Sequence, residues 1–490
     1  MTFELAPFQD STLHDEHVRW LIDQLSPAQE PLYRRLWNYY RNPMTPAPSG
    51  EQGRAYRLAQ EEGLPPRITG EPGAGPNAGR KEVVIENDIA WRVNTMVDYL
   101  FGRGVTLRSR ATDPARAEAI EAILGALLAA NGSELLLEEM ALFASVYGFV
   151  DVALRVPANF AESIPPSDDP LETAIAAAGN LRLEPIEAPR VIPILESDNY
   201  RQTRYWVQRY FRSSTEPTKS GAIRRLLNRT PSSPKPTEIV EILSPSWWQR
   251  YENRRLVAQG PNALGRLPIV HIQNIAAPGS YAGFSDVEPM IPLQDELNTR
   301  LCDRAHRVTY QSFKMYLGKG IDDFLERPVG PGQMWATGNL NASIEEFGAD
   351  DGSPSEDLHI DQIRQGLDKL SGVTPLAAGI LRGQIGNLSS ATALRVMLSG
   401  LLSRTARKRL TFATGLGALM ELALDFLDRS NLFATTPAER KIDVLFPDPL
   451  PNDETHQLEN ARLKQQLGIS QDRILAELGY DRASVEDSAE

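Results

Sequence analysis

Residues 285–312 read SDVEPMIPLQDELNTRLCDRAHRVTYQS, the most informative stretch of the chain. Ser285 and Glu288 have the spacing of a capping box, which predicts the start of a helix. The polar positions that follow carry charges of both signs. Periodicity leaves two interpretations open, an ordinary amphipathic helix and a helix that stands among copies of itself. The apolar side chains recur every three or four residues and form one stripe: Met290, Leu293, Leu297, Leu301, Ala305 and Val308.

The residues before this helix carry a recognisable pattern. They include LGRLPIVHIQN at 264–274 and GFSD at 283–286. This passage resembles the segment Gly-x-x-Pro-hydrophobic … Asn … Gly-x-Ser-Asp-hydrophobic-Glu, which leads into the stem helix of tailed-bacteriophage portal proteins. The pattern favours the second interpretation of the helix.

Three further motifs resemble the same family in the same order. They are ENDIA … VDYLFGRGV within 86–105, VYGFVDV at 146–152, and SGVTP … GNLSSATAL within 371–394. Each motif is weak by itself. Because their order extends over nearly the whole chain, we identify the sequence as similar to the portal family along that length.

The resemblance implies an α+β, mainly helical portal fold that assembles as a ring. It also implies a division of the chain into named regions. These are a wing at 1–284 (helices to 148, then a β-rich part at 149–284), a stem helix at 285–312, a clip at 313–355, a second stem helix at 356–371, a tunnel loop at 372–389, a long tunnel or wing helix at 390–429, and a helical crown with the C-terminal tail at 430–490.

Periodicity and turn residues predict the elements in more detail. We expect helix over the first 60 residues and, overlapping it, an extended, poorly packed arm at 41–80. In the clip, a strand at 314–318 should pair with one at 333–336. Gly400, Gly415 and Gly417 are expected bend points in the long helix. Further helices are predicted at 88–101, 114–130 and 133–147, and strands at 150–156, 205–211 and 239–243.

The tunnel loop has an unusual composition. Four glycines and one proline exclude a regular element, yet the loop is too apolar for an idle solvent loop. Arg382 is its only charged residue; in a ring it would form a belt of positive charge near DNA, or alternatively an ion pair between subunits. The residues assigned to the channel are Thr374, Leu376, Ile380, Arg382, Gln384, Ile385 and Asn387.

The clip region is acidic, with no Lys or Arg from 328 to 363. A carboxylate-rich lumen would repel phosphate and keep a duplex from binding tightly, since Lys and Arg contacts produce tight, salt-sensitive binding. A subunit interface and a solvated outer face are the alternatives. The candidates are Glu345, Glu346, Asp350, Asp351, Glu356, Asp357 and Asp361.

The overall composition is acidic and agrees with the family resemblance. Its 490 residues contain 51 Lys plus Arg and 64 Asp plus Glu, a net charge of −13, so a basic DNA-binding surface is not expected. The basic insertion at 213–237 favours a solvated hairpin tip over a nucleic-acid patch. Cys302 is the only cysteine and should be a packed thiol. The N-terminus lacks a signal-peptide pattern.

No catalytic or cofactor motif is apparent in the sequence. The run His14-Asp15-Glu16-His17 lacks the spacing of a zinc protease, and there is no phosphate-binding loop. The apolar stretch 410–427 contains Glu421 and Asp425, which favours a buried helix over a membrane span. A soluble enzyme or regulatory scaffold without a readable active site remains the alternative function.

The resemblance implies a function and a set of partners. It predicts a portal protein at one vertex of the virion capsid, made in the host cytoplasm, through which the genome is packaged and ejected. It implies a homododecamer and no membrane. The expected partners are double-stranded DNA, the large terminase subunit, a head-completion adaptor, and the major capsid and scaffolding proteins.

Overall fold

Two compact units make up the chain in the computed structural model. The first contains Met1–Asn94, Ser145–Phe149 and Phe284–Val373, and the second contains the remaining residues. The structure describes residues 15–47, 55–70, 82–196, 199–212, 236–262, 264–312, 315–319, 340–347, 354–378, 391–450 and 461–468.

The described residues contain helices and strands, and many of the strands follow one another between residues 182 and 273. The helices are α1 (Asp15–Arg41), α2 (Pro66–Thr69), α3 (Asp88–Phe101), α4 (Pro114–Ala130), α5 (Glu134–Tyr147), α6 (Pro170–Asn180), α7 (Ile291–Ser312), α8 (Pro354–Ser371), α9 (Ala391–Met397) and α10 (Ser399–Arg429). The strands are β1 (Met44–Pro46), β2 (Tyr56–Leu58), β3 (Thr106–Ser109), β4 (Phe149–Arg155), β5 (Arg182–Ile186), β6 (Val191–Glu196), β7 (Asn199–Arg212), β8 (Thr237–Leu243), β9 (Trp247–Glu252), β10 (Arg255–Pro261), β11 (Ile269–Gln273), β12 (Met315–Lys319), β13 (Ser343–Phe347) and β14 (Ile442–Leu445).

Local sequence explains two of the helix starts. Asp113 precedes α4 and its carboxylate accepts a hydrogen bond from the Ala115 amide at 3.2 Å, with Pro114 in the first turn. Asp169 caps α6 in the same way, accepting from the Leu171 amide at 2.8 Å. Proline is tolerated there because its missing N–H has no partner within the helix. The helices expected at 88–101, 114–130 and 133–147 are confirmed as α3, α4 and α5.

The second unit is built around two larger sheets, and the five-stranded one is antiparallel throughout. Its five-stranded sheet has the order β10–β9–β8–β7–β6, and a three-stranded sheet has the order β11–β4–β5. Strands β7 and β8 pair from Trp206 with Leu243 to Arg212 with Thr237. The basic insertion therefore joins two paired neighbours, as a hairpin connection does. Its residues 213–235 lie outside the described part.

Helix α10 lies in the core of the second unit. It is long and apolar enough to cross a membrane, and α4 with α5 would meet the same criterion as one bent pair. However, Phe412 is fully buried and packs edge-to-face on Phe101 at 5.3 Å, and Leu419 is also fully buried. Its carboxylates are paired, Glu421 with Lys441 at 2.7 Å and Asp425 with Arg440. These contacts identify α10 as a core helix, as expected.

The long helical pattern after residue 390 is interrupted at Leu398, two residues before the expected bend at Gly400. Leu398 separates α9 from α10, whereas Gly415 and Gly417 lie inside the uninterrupted α10. Gly415 has a packing role instead, because a Cβ there would lie 2.4 Å from Cγ1 of Ile272. The expected bends at Gly415 and Gly417 are therefore wrong.

Two further expectations are wrong within the described residues. The arm expected at 41–80 contains β1, β2 and α2, and Ile68 is fully buried rather than poorly packed. The crown expected to be helical from 430 is helical only in part: residues 461–466 form a helix, but β14 pairs with β3 from Ile442 and Ser109 to Leu445 and Thr106. Both segments are held by partners distant in sequence, which local patterns do not reveal.

Candidate functional site

Helix α7 begins where Ser285 closes the preceding turn. The Ser285 hydroxyl donates to the Val146 carbonyl at 2.6 Å and accepts from the amides of Val287 at 3.1 Å and Glu288 at 3.2 Å. A 3-10 turn at Glu288–Met290 follows, and the regular helix starts only at Ile291. The serine therefore caps the turn before the helix, whereas Val287, the residue directly before the 3-10 turn, makes no side-chain cap bond.

One face of α7 carries polar side chains that pair with the backbone of the extended segment 82–88. The pairs are the Asp88 amide with Oε1 of Gln294 at 3.2 Å, the Glu86 amide with Oδ1 of Asn298 at 3.1 Å, and the Val84 amide with Sγ of Cys302 at 3.2 Å. Two residues of extended chain advance about 6.6 Å and four residues of helix about 6 Å. Alternate backbone amides therefore meet every fourth side chain, and the segment runs antiparallel to α7.

This polar face was missed in the sequence. Gln294, Asn298 and Cys302 are all fully buried, so α7 is buried on a second face besides its apolar stripe. Asn298 also donates to Oε1 of Gln60 at 3.0 Å. Two amides and a cysteine spaced four residues apart were the available signal. The expectation that Cys302 is a packed thiol is confirmed.

The apolar stripe of α7 is buried in its first half and becomes exposed towards its end. Met290 and Leu297 are fully buried within the chain, which leaves neither side chain for contact with another subunit. Leu293 faces α8, where a Cβ on Gly366 would come within 3.0 Å of its Cδ1. Leu301 and Ala305 are half-buried and Val308 is exposed. Only the later part of the stripe retains surface for a neighbouring subunit.

Helix α8 confirms the helix expected at 356–371 and runs antiparallel to α7. Residues later in α7 contact residues earlier in α8, through pairs of opposite charge. The pairs are Glu296 with His359 at 3.3 Å, Arg304 with Asp357 at 3.1 Å, and Arg307 with Glu356. The two helices are thus joined by apolar contacts near one end and ion pairs towards the other.

These ion pairs involve two of the acidic residues that were candidates for the channel lining. Glu356 and Asp357 are neutralised by arginines of the same chain, while Asp361 is exposed and has no ion-pair partner among the described residues. Glu345 and Glu346 lie in β13, but their side chains, like all of Asp350 and Asp351, lie outside the described part.

The strand pair between α7 and α8 differs from the expected hairpin. Strand β12 pairs with β13, from Met315 with Phe347 to Lys319 with Ser343. The strand expected at 333–336 lies outside the described residues. The first strand of the expectation is confirmed, but its partner lies later in the chain.

Neighbouring carboxylates on α7 have opposite electrostatic environments. Burial raises the pKa of Asp295 more than the hydrogen bond from Tyr39 and the charge of Arg35 lower it. Burial acts in the same direction on Glu296, but hydrogen bonds from Arg300 and His359 outweigh it and hold the pKa of Glu296 below its ordinary value. Asp295 faces inward and Glu296 faces the charged side of α8.

The chain leaves α8 through a glycine turn. Gly372 has a positive φ of 73° and its amide donates to the Asp368 carbonyl at 2.8 Å, a common way to end a helix. A 3-10 turn at Pro375–Ala378 follows, in which Leu376 is half-buried, as is Thr374 just before it. The other expected channel residues lie outside the described part: Ile380, Arg382, Gln384, Ile385 and Asn387.

Arg92 contacts the end of α8, and the sequence did not single it out. Its guanidinium is buried, with 1% of the residue exposed, and it donates to Oδ2 of Asp88 at 2.9 Å. It also donates to Oγ of Ser371 at 3.1 Å and to the Val373 carbonyl at 2.5 Å, and lies 2.8 Å from Oδ1 of Asp368. The available signal was an Asp and an Arg four residues apart within an apolar helix face.

A cavity in the second unit tests the enzyme alternative. It has a volume of about 620 Å³ and is lined partly by His271 and Tyr281. Asp151 is fully buried beneath them and accepts from Trp206 at 2.6 Å and the Tyr281 hydroxyl at 2.8 Å. His271 places Nδ1 2.6 Å from Asp151 and Nε2 2.8 Å from the Tyr281 carbonyl. Because both ring nitrogens are engaged, this cluster ties strands together and leaves no imidazole nitrogen for a substrate.

The described residues offer no metal-binding cluster. No group of three or more His, Cys, Asp or Glu side chains among them could hold an ion. His14 and the side chains of Asp15, Glu16 and His17 lie outside the described part.

Comparison with known proteins gives a family match over most of the chain. The family model described as "Phage portal protein, SPP1 Gp6-like" matches residues 87–487. A solved structure entitled "Virion of native gene transfer agent (GTA) particle" is similar at a TM-score of 0.42 and 14% identity, covering 80% of this chain and 90% of that one. No curated protein matches the chain.

Proposed function

This chain belongs to the phage portal protein family, SPP1 Gp6-like, and from that premise we propose that it forms the ring-shaped DNA channel at one vertex of a phage-like capsid. The observation that carries the proposal is the family match over 87–487, which includes α7, α8 and the segment after them. The genome would enter the capsid and leave it through this ring.

A ring follows if each subunit uses two different surfaces to contact its neighbours and the rotation closes. We propose twelve subunits, with the stem formed by α7 and α8 and the crown and wing by the flanking regions. Native mass spectrometry should detect an assembly of about this size, and negative-stain microscopy should show annular particles. Only monomer or dimer across a wide range of salt concentrations would contradict the proposal.

The channel must let a duplex slide rather than hold it. A net charge of −13 supports this role, because an excess of carboxylates over Lys and Arg opposes tight, salt-sensitive binding of the duplex. We propose that the segment 372–389 narrows the channel and that Arg382 makes one weak phosphate contact per subunit. Arg382→Ala should alter DNA packaging or retention while rings stay stable. Loss of ring stability would instead indicate an ion pair between subunits, and no change in either would remove Arg382 from the channel.

The clip, residues 313–355, is proposed to dock the large terminase subunit during packaging and a head-completion adaptor afterwards. Capsid and scaffolding proteins would surround the wing. Replacing 320–339 with a short Gly/Ser linker keeps β12 and β13, whose pairing involves only flanking residues. Rings should still assemble but lose terminase docking. Normal stimulation of packaging by the altered ring would contradict the assignment.

The motor for packaging is proposed to be a separate protein, because the sequence contains no phosphate-binding loop. Purified rings should therefore show no ATP turnover of their own. Steady hydrolysis that copurifies with the ring through successive columns would favour the enzyme alternative. The protein would be made in the host cytoplasm and reside in the virion.

A further inference from the structure

Arg92 holds three parts of the first unit at one point. Its guanidinium contacts Asp88 on its own helix, Asp368 and Ser371 on α8, and the carbonyl of Val373 beyond the helix end. A buried cation is costly unless it is paired and hydrogen-bonded. Here two carboxylates, a hydroxyl and a carbonyl supply those partners.

The partners require the forked shape of arginine. The guanidinium presents N–H groups at fixed angles in a plane, whereas a lysine ammonium is a compact point charge with three donors. Arg92 uses Nη2 for Asp88 and Asp368 and Nη1 for Ser371 and Val373. A lysine would keep the charge but could not reproduce both sets of contacts.

The backbone at the end of α8, residues 371–373, is constrained by hydrogen bonds and burial. Ser371 Oγ donates to the Leu367 carbonyl at 2.8 Å and accepts from the Val373 amide at 3.1 Å. Gly372 between them takes the left-handed conformation, and the Val373 side chain is fully buried. The direction in which the chain leaves α8 is thus set by contacts on both sides of one glycine.

We propose that Arg92 is a positioning residue that fixes the point where the chain passes from α8 into the segment 372–389. This inference rests on the proposed function, because that segment is assigned to the channel only there. Arg92 would touch no DNA and would act through the Val373 carbonyl.

The test compares two variants with a control. Arg92→Lys keeps the positive charge but removes the forked guanidinium, and Asp368→Asn keeps the shape of a partner while removing its negative charge. Arg108→Ala is the control, because Arg108 forms an exposed ion pair with Glu121 at 3.2 Å in the second unit. Hydrogen exchange would be followed by mass spectrometry in peptides that contain the Gly372 and Val373 amides and, for reference, in peptides from α10.

Both variants should speed exchange at Gly372 and Val373 about tenfold or more, with α10 and the Arg108→Ala protein unchanged. A uniform increase over all peptides would show a purely structural role and overturn the inference, as would no change. Should Arg92→Lys fail to fold, Asp368→Asn alone decides: unchanged exchange at these two amides overturns the inference.

DNA retention in assembled particles separates this inference from the proposed function. Faster local exchange together with reduced retention supports both. Faster local exchange with normal retention supports the role of Arg92 at the junction but contradicts the assignment of 372–389 to the channel.

Discussion

The hydroxyl of Tyr39 donates a 2.5 Å hydrogen bond to Oδ1 of Asp295, and this contact joins α1 to α7. Gly63 packs against the same pair, since a Cβ there would lie 1.9 Å from Oδ1 of Asp295. Burial, followed by the bond to Asp295, raises the pKa of Tyr39. The N-terminal segment is therefore built onto the inward face of α7.

Asp295 and its neighbour Glu296 should give opposite pH dependences of stability. Because burial raises the pKa of Asp295, the folded protein binds a proton there that the unfolded chain lacks between the ordinary and the raised pKa. The contribution of Asp295 to the free energy of unfolding should therefore increase as pH falls through that window. Asp295→Asn should remove this increase, measured by urea unfolding at fixed ionic strength.

Glu296→Gln is the matched comparison. Despite the opposing effect of burial, Arg300 and His359 lower the pKa of Glu296, so its contribution is present above its ordinary pKa and is lost as pH falls through the lowered one. The two variants should change the pH profile in opposite directions. If both variants changed the pH dependence of stability in the same direction, the opposite pKa shifts of Asp295 and Glu296 would be contradicted.

Asn298→Ala should destabilise the first unit strongly. The amide accepts from the Glu86 backbone and donates to Gln60, and the residue is fully buried. Each group left without a partner costs roughly 1–3 kcal/mol. Gln362→Ala, at an exposed position of α8, is the control and should change stability by less than about 0.5 kcal/mol. Equal effects of the two changes in chemical denaturation would show that the buried hydrogen bonds between α7 and residues 82–88 are not formed.

Gly415→Ala and Gly125→Ala should act with opposite signs, although both glycines are helical. A Cβ at Gly415 would lie 2.4 Å from Ile272, so overpacking should cost about 1–3 kcal/mol. A Cβ at Gly125 meets nothing within 4 Å, so alanine there should stabilise by about 0.5–1 kcal/mol. Thermal unfolding of the two variants checks the comparison, and a stabilising Gly415→Ala would refute the close contact with β11.

Arg92→Met and Arg304→Ala should differ in magnitude. Arg304 and Asp357 are 46% and 56% exposed in their side chains, and such pairs contribute only about 0–1 kcal/mol. Removing buried Arg92 leaves two carboxylates without their cation, which costs roughly 3–5 kcal/mol. Unfolding free energies that differ by less than about 1 kcal/mol would argue that Arg92 is solvated in the folded protein.

Local signals in the sequence were sufficient for much of the fold. Several of the signals depend only on neighbours close in the chain. These are the Asp-Pro start of α4, the turn at Ser285, the periodicity of α7 and the β-branched runs of β4 and β8. The spacing of these residues therefore predicts the elements directly. The order of the family motifs also depends only on the sequence, and the match over 87–487 agrees with it.

Helix periodicity, caps and motif order are encoded by residues near one another, so the sequence predicts many of the helices and strands and the family. Which face of each helix is buried depends on the tertiary structure. The sequence does not distinguish the buried amides of Gln294 and Asn298 from exposed ones. Residues 82–88 cover these side chains only in the folded protein. The same holds for Glu356 and Asp357. The sequence predicts them as unpaired negative charges, but in the fold Arg307 and Arg304 of α7 pair with them. Arg92 is the clearest case, since its partners at 368–373 are far away in the chain and only folding brings them together.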